Sequence, residues 1–307
     1  MELHEVMRLI SLIPDGYRSF EVSAHNVTRM FGIGPELQKE MLAQGLPAKR
    51  IGEQWHFAWS DAYNISRYMM LPSPFRRGML AWPKILERAR AGATLDFDIQ
   101  FRVDCPEPCH DGKCDFQIST PILDASFRMD ENEDRLICGI EATSSANEEA
   151  IPDDVQSLLA KYDHIFLMSL PHLLTWPVEM VLETSIGDCI SLAQLLEAEG
   201  RRLGYETRHA NGIIMTAPFS TRHHWTEFKI GSTWVPFDPF LFKALHRWQV
   251  LESDEWSVGY PATAMLRPIC GSSTRPLEVT HQGTVVPMTL PTRMKVLNDP
   301  RRLGSCE

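Results

Sequence analysis

The chain has no apolar run long enough to cross a bilayer. Its best stretch, Ile165 to Val181, is broken by two prolines and a histidine, whereas a spanning helix needs about 20 predominantly apolar residues. There is no excess of positive charge either: 30 Lys and Arg stand against 40 Asp and Glu, a formal net charge of -10. Tight, sequence-independent nucleic-acid binding by the whole chain needs clustered cations against phosphate, so that class is excluded, although a local site is not. The opening Met1-Glu2-Leu3-His4-Glu5 lacks the basic and long apolar regions of a secretory signal. The seven cysteines are an odd number for a disulfide framework. We find no internal repeat. These absences imply a cytoplasmic protein with no membrane partner, whose thiols stay reduced and are read as reactive or metal-binding. The hydrophobic content of 44% is ordinary for a globular protein and excludes general disorder.

One of those thiols stands in an informative place. Gly187-Asp188-Cys189-Ile190-Ser191-Leu192-Ala193 opens a predicted helix, so Cys189 sits where free backbone N–H groups favour a thiolate. Two predicted strands follow, one with His223-His224-Trp225-Thr226-Glu227 and one with Trp234-Val235-Pro236-Phe237-Asp238-Pro239. The segment Lys229 to Thr233 contains Gly231 and reads as the turn of a hairpin that sets the two strands side by side. His223 could then exchange a proton with the thiol, and Asp238 could orient its ring. Alternation along a strand puts His223, Trp225 and Glu227 on one face and His224 and Thr226 on the other, so only one of the two histidines can face Cys189. Each feature alone has a plainer use: a small core thiol, a structural or metal-binding histidine pair, an Asp-Pro turn. Order, spacing and predicted context together favour catalysis.

The Gly-Asp-Cys helix with Leu192, Leu195 and Leu196, its exit through Gly200-Arg201-Arg202-Leu203-Gly204-Tyr205-Glu206-Thr207-Arg208, the His-x-Trp-x-Glu strand and the Asp-Pro strand resemble the transglutaminase-like, papain-like cysteine superfamily over about residues 160–245. The resemblance implies an α+β fold in which a Cys helix packs on an antiparallel sheet carrying His and Asp. It implies Cys189 as nucleophile, His223 as base and Asp238 as orienting acid, because the family's histidine is the first of His-x-Trp. A thioester-like acyl-enzyme then passes its acyl group to an amine, as in amide-forming acyltransferases, or to water, as in a protease or amidase. The implied partners are an acyl donor (a peptide or protein amide, or a thioester) and an amine or water acceptor, with no cofactor required for catalysis. The backbone N–H of Cys189 is the natural first oxyanion donor. Trp176 and Trp225 are candidates for the oxyanion site or the pocket wall, with core packing as their plainer role.

Three consecutive parts are expected: 1–92, 93–150 and 151–307. In the first, Asn26 to Gly34 reads as a short helix and turn, Pro35 to Gln44 as a second helix closed by Gly45, Leu46 to Phe57 as a small hairpin, and Ser60-Asp61 as the cap of a third helix. Over about residues 24–69 this resembles the excisionase or MerR-type winged helix-turn-helix. The resemblance implies DNA as a partner, and with it a second class of function, a DNA- or partner-binding regulator. The would-be recognition helix, with Glu36, Glu40 and a single Lys39, does not favour DNA. Leu71 to Gly78 reads as a linker and Trp82 to Gly92 as a helix. Strands are expected at Leu95–Val103, Phe116–Ile122 and Leu136–Ala142, forming one antiparallel sheet, with a polar boundary at 144–154. Between the first two strands, Cys105, Cys109, His110 and Cys114 fall within ten residues at an expected hairpin tip. With Cys138 as an alternative to His110, they make a candidate structural zinc site. The basic end beyond Arg293 is expected to fray.

Overall fold

The described residues mix helices with antiparallel sheets, and the fold is α+β. The computed structural model describes residues 1–107, 114–118, 122, 128–132, 135–144, 151–252, 262–270 and 277–299. Its first elements are α1 (Leu3–Ile10), β1 (Val22–Ser23), α2 (Ala24–Phe31), α3 (Pro35–Ala43), β2 (Ala48–Ile51), β3 (Gln54–Phe57), α4 (Trp59–Tyr68), α5 (Pro74–Met79) and α6 (Trp82–Arg90). Then come β4 (Thr94–Asp104), β5 (Phe116–Ile118), β6 (Arg128–Asn132), β7 (Arg135–Ser144), α7 (Asp153–Lys161), β8 (Phe166–Leu167), α8 (Val178–Thr184) and β9 (Ile186–Gly187). The last are α9 (Cys189–Arg202), β10 (Thr207–Ile214), β11 (Thr221–Ile230), β12 (Thr233–Phe237), α10 (Pro239–Arg247), β13 (Leu266–Pro268), β14 (Val279–His281), β15 (Thr284–Val286) and β16 (Thr292–Asn298). Among the described residues, no helix is long and apolar enough to cross a membrane.

Contacts sort the chain into two compact units, each assembled from three stretches. The first takes Met1–Leu80, Asp153–Leu196 and Asp238–Tyr260; the second takes Ala81–Pro152, Glu197–Phe237 and Pro261–Glu307.

In the first unit, α1 precedes the helices expected from Asn26 onward. Glu2 and Glu5 form its capping box, and Leu3, Val6, Met7, Leu9 and Ile10 bury its apolar face. Ser23 caps α2 through its hydroxyl, Gly32 closes α2 in the left-handed region at φ 71°, and Pro35 starts α3. The buried Gln38 amide donates to the carbonyls of Ala24 and Ile33, which ties α3 to α2, while Lys39 pairs with Glu36 at 2.8 Å. Strands β2 and β3 form a hairpin whose second strand also pairs with β1.

Two expectations change here. Ser60-Asp61 does not cap α4; Ala58 takes that position without a side-chain bond. Asp61 instead turns inward to meet Arg18 at 2.7 Å, with neither side chain exposed. Burial pushes the Asp61 carboxyl up to about 6, against the pull of Arg18. Residues 71–78 are not simply a linker, because the Ser73 hydroxyl accepts from the Arg76 N–H at 3.2 Å and Pro74 pre-sets the first turn of α5.

Polar bonds sew this N-terminal region to the chain around the Cys helix. The Asn64 side chain pairs in both directions with the backbone of Ser169 at 2.8 Å, the Tyr68 hydroxyl donates to the Leu167 carbonyl at 2.9 Å, and Arg76 donates to the Trp248 carbonyl at 2.7 Å.

In the second unit, β4 follows its alternation: Leu95, Phe97, Ile99, Phe101 and Val103 are all buried. They pack with Ile140, Ile213, Val279 and Leu290 in one core. The edges of β4 are occupied by β7 and β16, so its backbone groups are satisfied without β5. The strand expected at Phe116–Ile122 therefore lies outside that sheet. β5 ends at Ile118 among the described residues and pairs with β14 in a separate sheet, β15-β14-β5. Cys105 and Cys114 accordingly stand beside strands of two different sheets and not on the two arms of one hairpin. The chain beyond Arg293 is also ordered as far as Asn298: β16 sets Arg293 opposite Asp98 and Lys295 opposite Asp96, opposite charges that favour the pairing.

The buried Arg18–Asp61 pair gives a stability test. Arg18→Ala strands a buried carboxylate and is expected to cost about 3–5 kcal/mol in urea unfolding. The double change Arg18→Met with Asp61→Leu is expected to cost less than Arg18→Ala alone. A loss of under about 1 kcal/mol for Arg18→Ala would contradict a desolvated pair.

Candidate functional site

Cys189 is the first residue of α9 and is partly buried in the first unit. The helix starts there because Asp188 and Ser191 exchange bonds across its first turn: the Ser191 hydroxyl accepts from the Asp188 N–H and donates to the Asp188 carbonyl, both at 3.2 Å, while Asp188 Oδ1 accepts from the Ile190 N–H at 3.3 Å. The N–H groups of a first turn have no intrahelical acceptor, so that of Cys189 suits an oxyanion donor. A second influence opposes the thiolate. Cys189 Sγ donates to Asp188 Oδ1 at 3.2 Å, a contact that favours the thiol over the thiolate. A helix terminus favours an anion by about 0.3–1 kcal/mol. Two like charges at about 4 Å repel by on the order of 4 kcal/mol near a protein surface before further screening. The carboxylate beside sulfur thus works against the pull of the helix start on the thiol.

Asp238, in the same unit, is buried and caps α10, where its Oδ1 accepts from the Leu241 N–H at 2.9 Å and Pro239 occupies the first turn. A carboxylate can accept at both oxygens, so capping with one leaves its chemistry intact. Trp176 is half-buried between the turn His172–Leu174 and α8.

The second unit holds the histidines. β11 pairs with β10 on one side and β12 on the other, with Gly231-Ser232 as the turn into β12. It is buried on both faces from His223 to Phe228. On one face His223 stacks with Trp225, with ring centroids 6.4 Å apart and planes at 19°. Trp225 is fully buried, and its indole N–H points to Glu227 at 3.4 Å. Glu227 accepts from Arg208 Nε at 2.6 Å, and that guanidinium lies 4.2 Å from the Trp234 ring centroid. The residue opposite His223 is Gly212, where an added Cβ would lie 2.0 Å from the Arg267 carbonyl oxygen.

The opposite face carries His224, whose Nδ1 lies 2.7 Å from His209 Nε2. Burial, chiefly, pushes His209 down to about 4 and His224 down to about 2. Two neutral imidazoles joined in this way share one N–H, and His224 is committed to that bond. His209 was not a candidate on sequence grounds; it becomes visible only when β10 and β11 are placed in register.

Of the candidate zinc ligands, Cys109 and His110 lie outside the described residues. Cys138 is buried in the apolar core on β7 and is not part of the ligand cluster. Cys105 and Cys114 do meet, and the third group beside them is His281 at the end of β14, with all three ligand atoms within 4.8 Å of one another.

The histidine pair predicts a pH effect. Both folded values lie below the unfolded value of about 6.5, so the stability that the pair contributes is full above that value and is lost as pH falls toward 4. The melting midpoint is expected to fall between pH 6.5 and 5, and less steeply in the double variant His209→Gln, His224→Gln. An unchanged slope would show that the pair does not set it.

Comparison with known proteins bears on residues 148–239, which match the sequence profile of the transglutaminase-like superfamily. No curated protein is detectably similar in sequence. A solved structure of a candidate cysteine protease from Cytophaga hutchinsonii overlaps 67% of this chain and 91% of its own, at 11% identity and a TM-score of 0.34. That overlap is too loose to add to the profile match, which spans Cys189, His223 and Asp238. The similarity to the transglutaminase-like superfamily therefore rests on residues 148–239.

Proposed function

We propose that the protein is a cysteine-dependent acyltransferase, with Cys189 as nucleophile, His223 as proton acceptor and donor, and Asp238 as the acid that orients His223. The carrying observation is the superfamily match over 148–239 together with Cys189 as the first residue of a long helix. The commitment of His224 to His209 supports His223 as the base. Asp238 is held by its helix cap, and a fixed carboxylate costs little to orient an imidazole.

In the proposed reaction, His223 takes the thiol proton as sulfur attacks the acyl carbon of a peptide or protein amide, or of a thioester. The bond to the leaving group breaks, and His223 returns the proton to that group. An amine then attacks the acyl-enzyme, loses a proton to the imidazole, and leaves as an amide while the thiol is regenerated. Water in place of the amine gives the hydrolytic outcome. The backbone N–H of Cys189 stabilises the oxyanion of both steps. Trp225 serves as a wall that keeps His223 in place, and Trp176 as a pocket wall on the Cys189 unit. The chemistry requires no cofactor, and it suits a reducing compartment such as the cytoplasm.

Iodoacetamide is expected to label Cys189 faster than the other accessible thiols, with the preference abolished in His223→Ala; equal labelling of all accessible thiols would refute the nucleophile. Asp188→Asn keeps a capping residue and removes the charge beside sulfur, so labelling at neutral pH should rise severalfold. An unchanged or slower rate would show that Asp188 does not favour the thiol. Incubation with acyl donors, with and without primary amines, followed by mass spectrometry, separates transfer from hydrolysis: amine-bearing products support the proposal, and water products alone replace it with a protease or amidase.

A further inference from the structure

We infer that Cys105, Cys114 and His281 bind a structural zinc ion that ties three strand ends of the second unit together. Cys105 is the first residue after β4, Cys114 stands two residues before β5, and His281 closes β14. Strands β5 and β14 are paired with Phe116 opposite His281, so the register of that sheet brings a residue 176 positions away to Cys105. The placement is reinforced twice. The Gln282 N–H donates to the Asp115 carbonyl at 3.1 Å, and the rings of Phe116 and His281 lie 5.0 Å apart.

The chemistry is specific. Two thiolates and an imidazole are the soft and borderline donors that zinc prefers over oxygen ligands. Zinc bonds of about 2.3 Å to sulfur and 2.0–2.1 Å to nitrogen, at tetrahedral angles, put sulfur and nitrogen about 3.6 Å apart. Cys105 Sγ lies 3.7 Å from His281 Nε2. His281 is buried and the two cysteines are partly buried, so the donors are already largely withdrawn from water. Cys105 follows the end of β4 and Cys114 precedes the start of β5, so thiols stand at both ends of the connection between them. A metal at that point closes the connection and joins it to β14, and its binding free energy adds to folding.

The full chain, purified under reducing conditions, is expected to carry about one zinc per molecule by elemental analysis. Cobalt(II) exchanged into it should give a sulfur-to-cobalt charge-transfer band with tetrahedral d–d intensity. His281→Gln, Cys105→Ser and Cys114→Ser should each lower zinc content at least several-fold, whereas Cys138→Ala should retain it. Chelation should lower the melting midpoint of the wild type by several degrees. If a serine variant fails to fold, the cobalt spectrum of the wild type and the milder His281→Gln variant still decide the matter. The inference is overturned if the reduced wild-type protein binds neither zinc nor cobalt, or if His281→Gln leaves metal content and spectrum unchanged. It is also overturned if the intact mass is two hydrogens lighter and peptide mapping joins Cys105 to Cys114, which would make the pair a disulfide.

Discussion

A strand buried on both faces must find a use for every side chain it carries, and β11 is such a strand. Its two adjacent histidines are forced apart by the pleat, one to each face. On one face, His224 meets His209 and both become neutral structural groups. On the other, His223 joins Trp225, Glu227 and Arg208 in a line that ends on the Trp234 ring. Burial selects opposite fates for two residues of identical chemistry. The histidine pair consumes one imidazole in packing, and His223 keeps a place beside a fixed aromatic.

The first unit shows a comparable coupling between architecture and chemistry. The helix that starts at Cys189 begins in the compact unit that also contains Met1–Leu80. Asn64, Tyr68 and Arg76, all from the N-terminal region, donate to backbone carbonyls at Ser169, Leu167 and Trp248. Their donors are buried or partly so, and the loss of any one would leave a polar group unsatisfied. The N-terminal region is therefore part of the scaffold that holds the thiol helix. The buried Arg18–Asp61 pair lies within the same region and holds α4 to the turn after α1.

Local signals were legible wherever a residue acts through its neighbours in sequence. The alternation of β4, the proline start of α3, the glycine turn between β11 and β12 and the start of α9 at Cys189 all follow from spacing and propensity. Expectations changed where a partner lies far along the chain. Asp61 has the composition of a cap and is instead an ion-pair partner, because Arg18 approaches from 43 residues away. Phe116 to Ile118 reads as a neighbour of β4, yet β7 and β16 already fill both edges of that strand. The residues after Arg293 look like a basic tail, and the acids of β4 give them a partner. His281 carried no local sign of a ligand; only the register of β5 with β14 sets it beside Cys105 and Cys114.

The sequence by itself determined which residue types stand in which local setting: a thiol at a helix start, a His-x-Trp-x-Glu strand, an Asp-Pro step at the end of the next strand, and cysteines clustered within ten residues. Periodicity and capping act over a few residues, so they can be read without knowing the rest of the chain. Tertiary structure decided which of two histidines is sequestered, which acid is buried against an arginine, and which distant imidazole completes a pair of thiols. Those outcomes depend on desolvation and strand register, and both exist only once remote segments have packed.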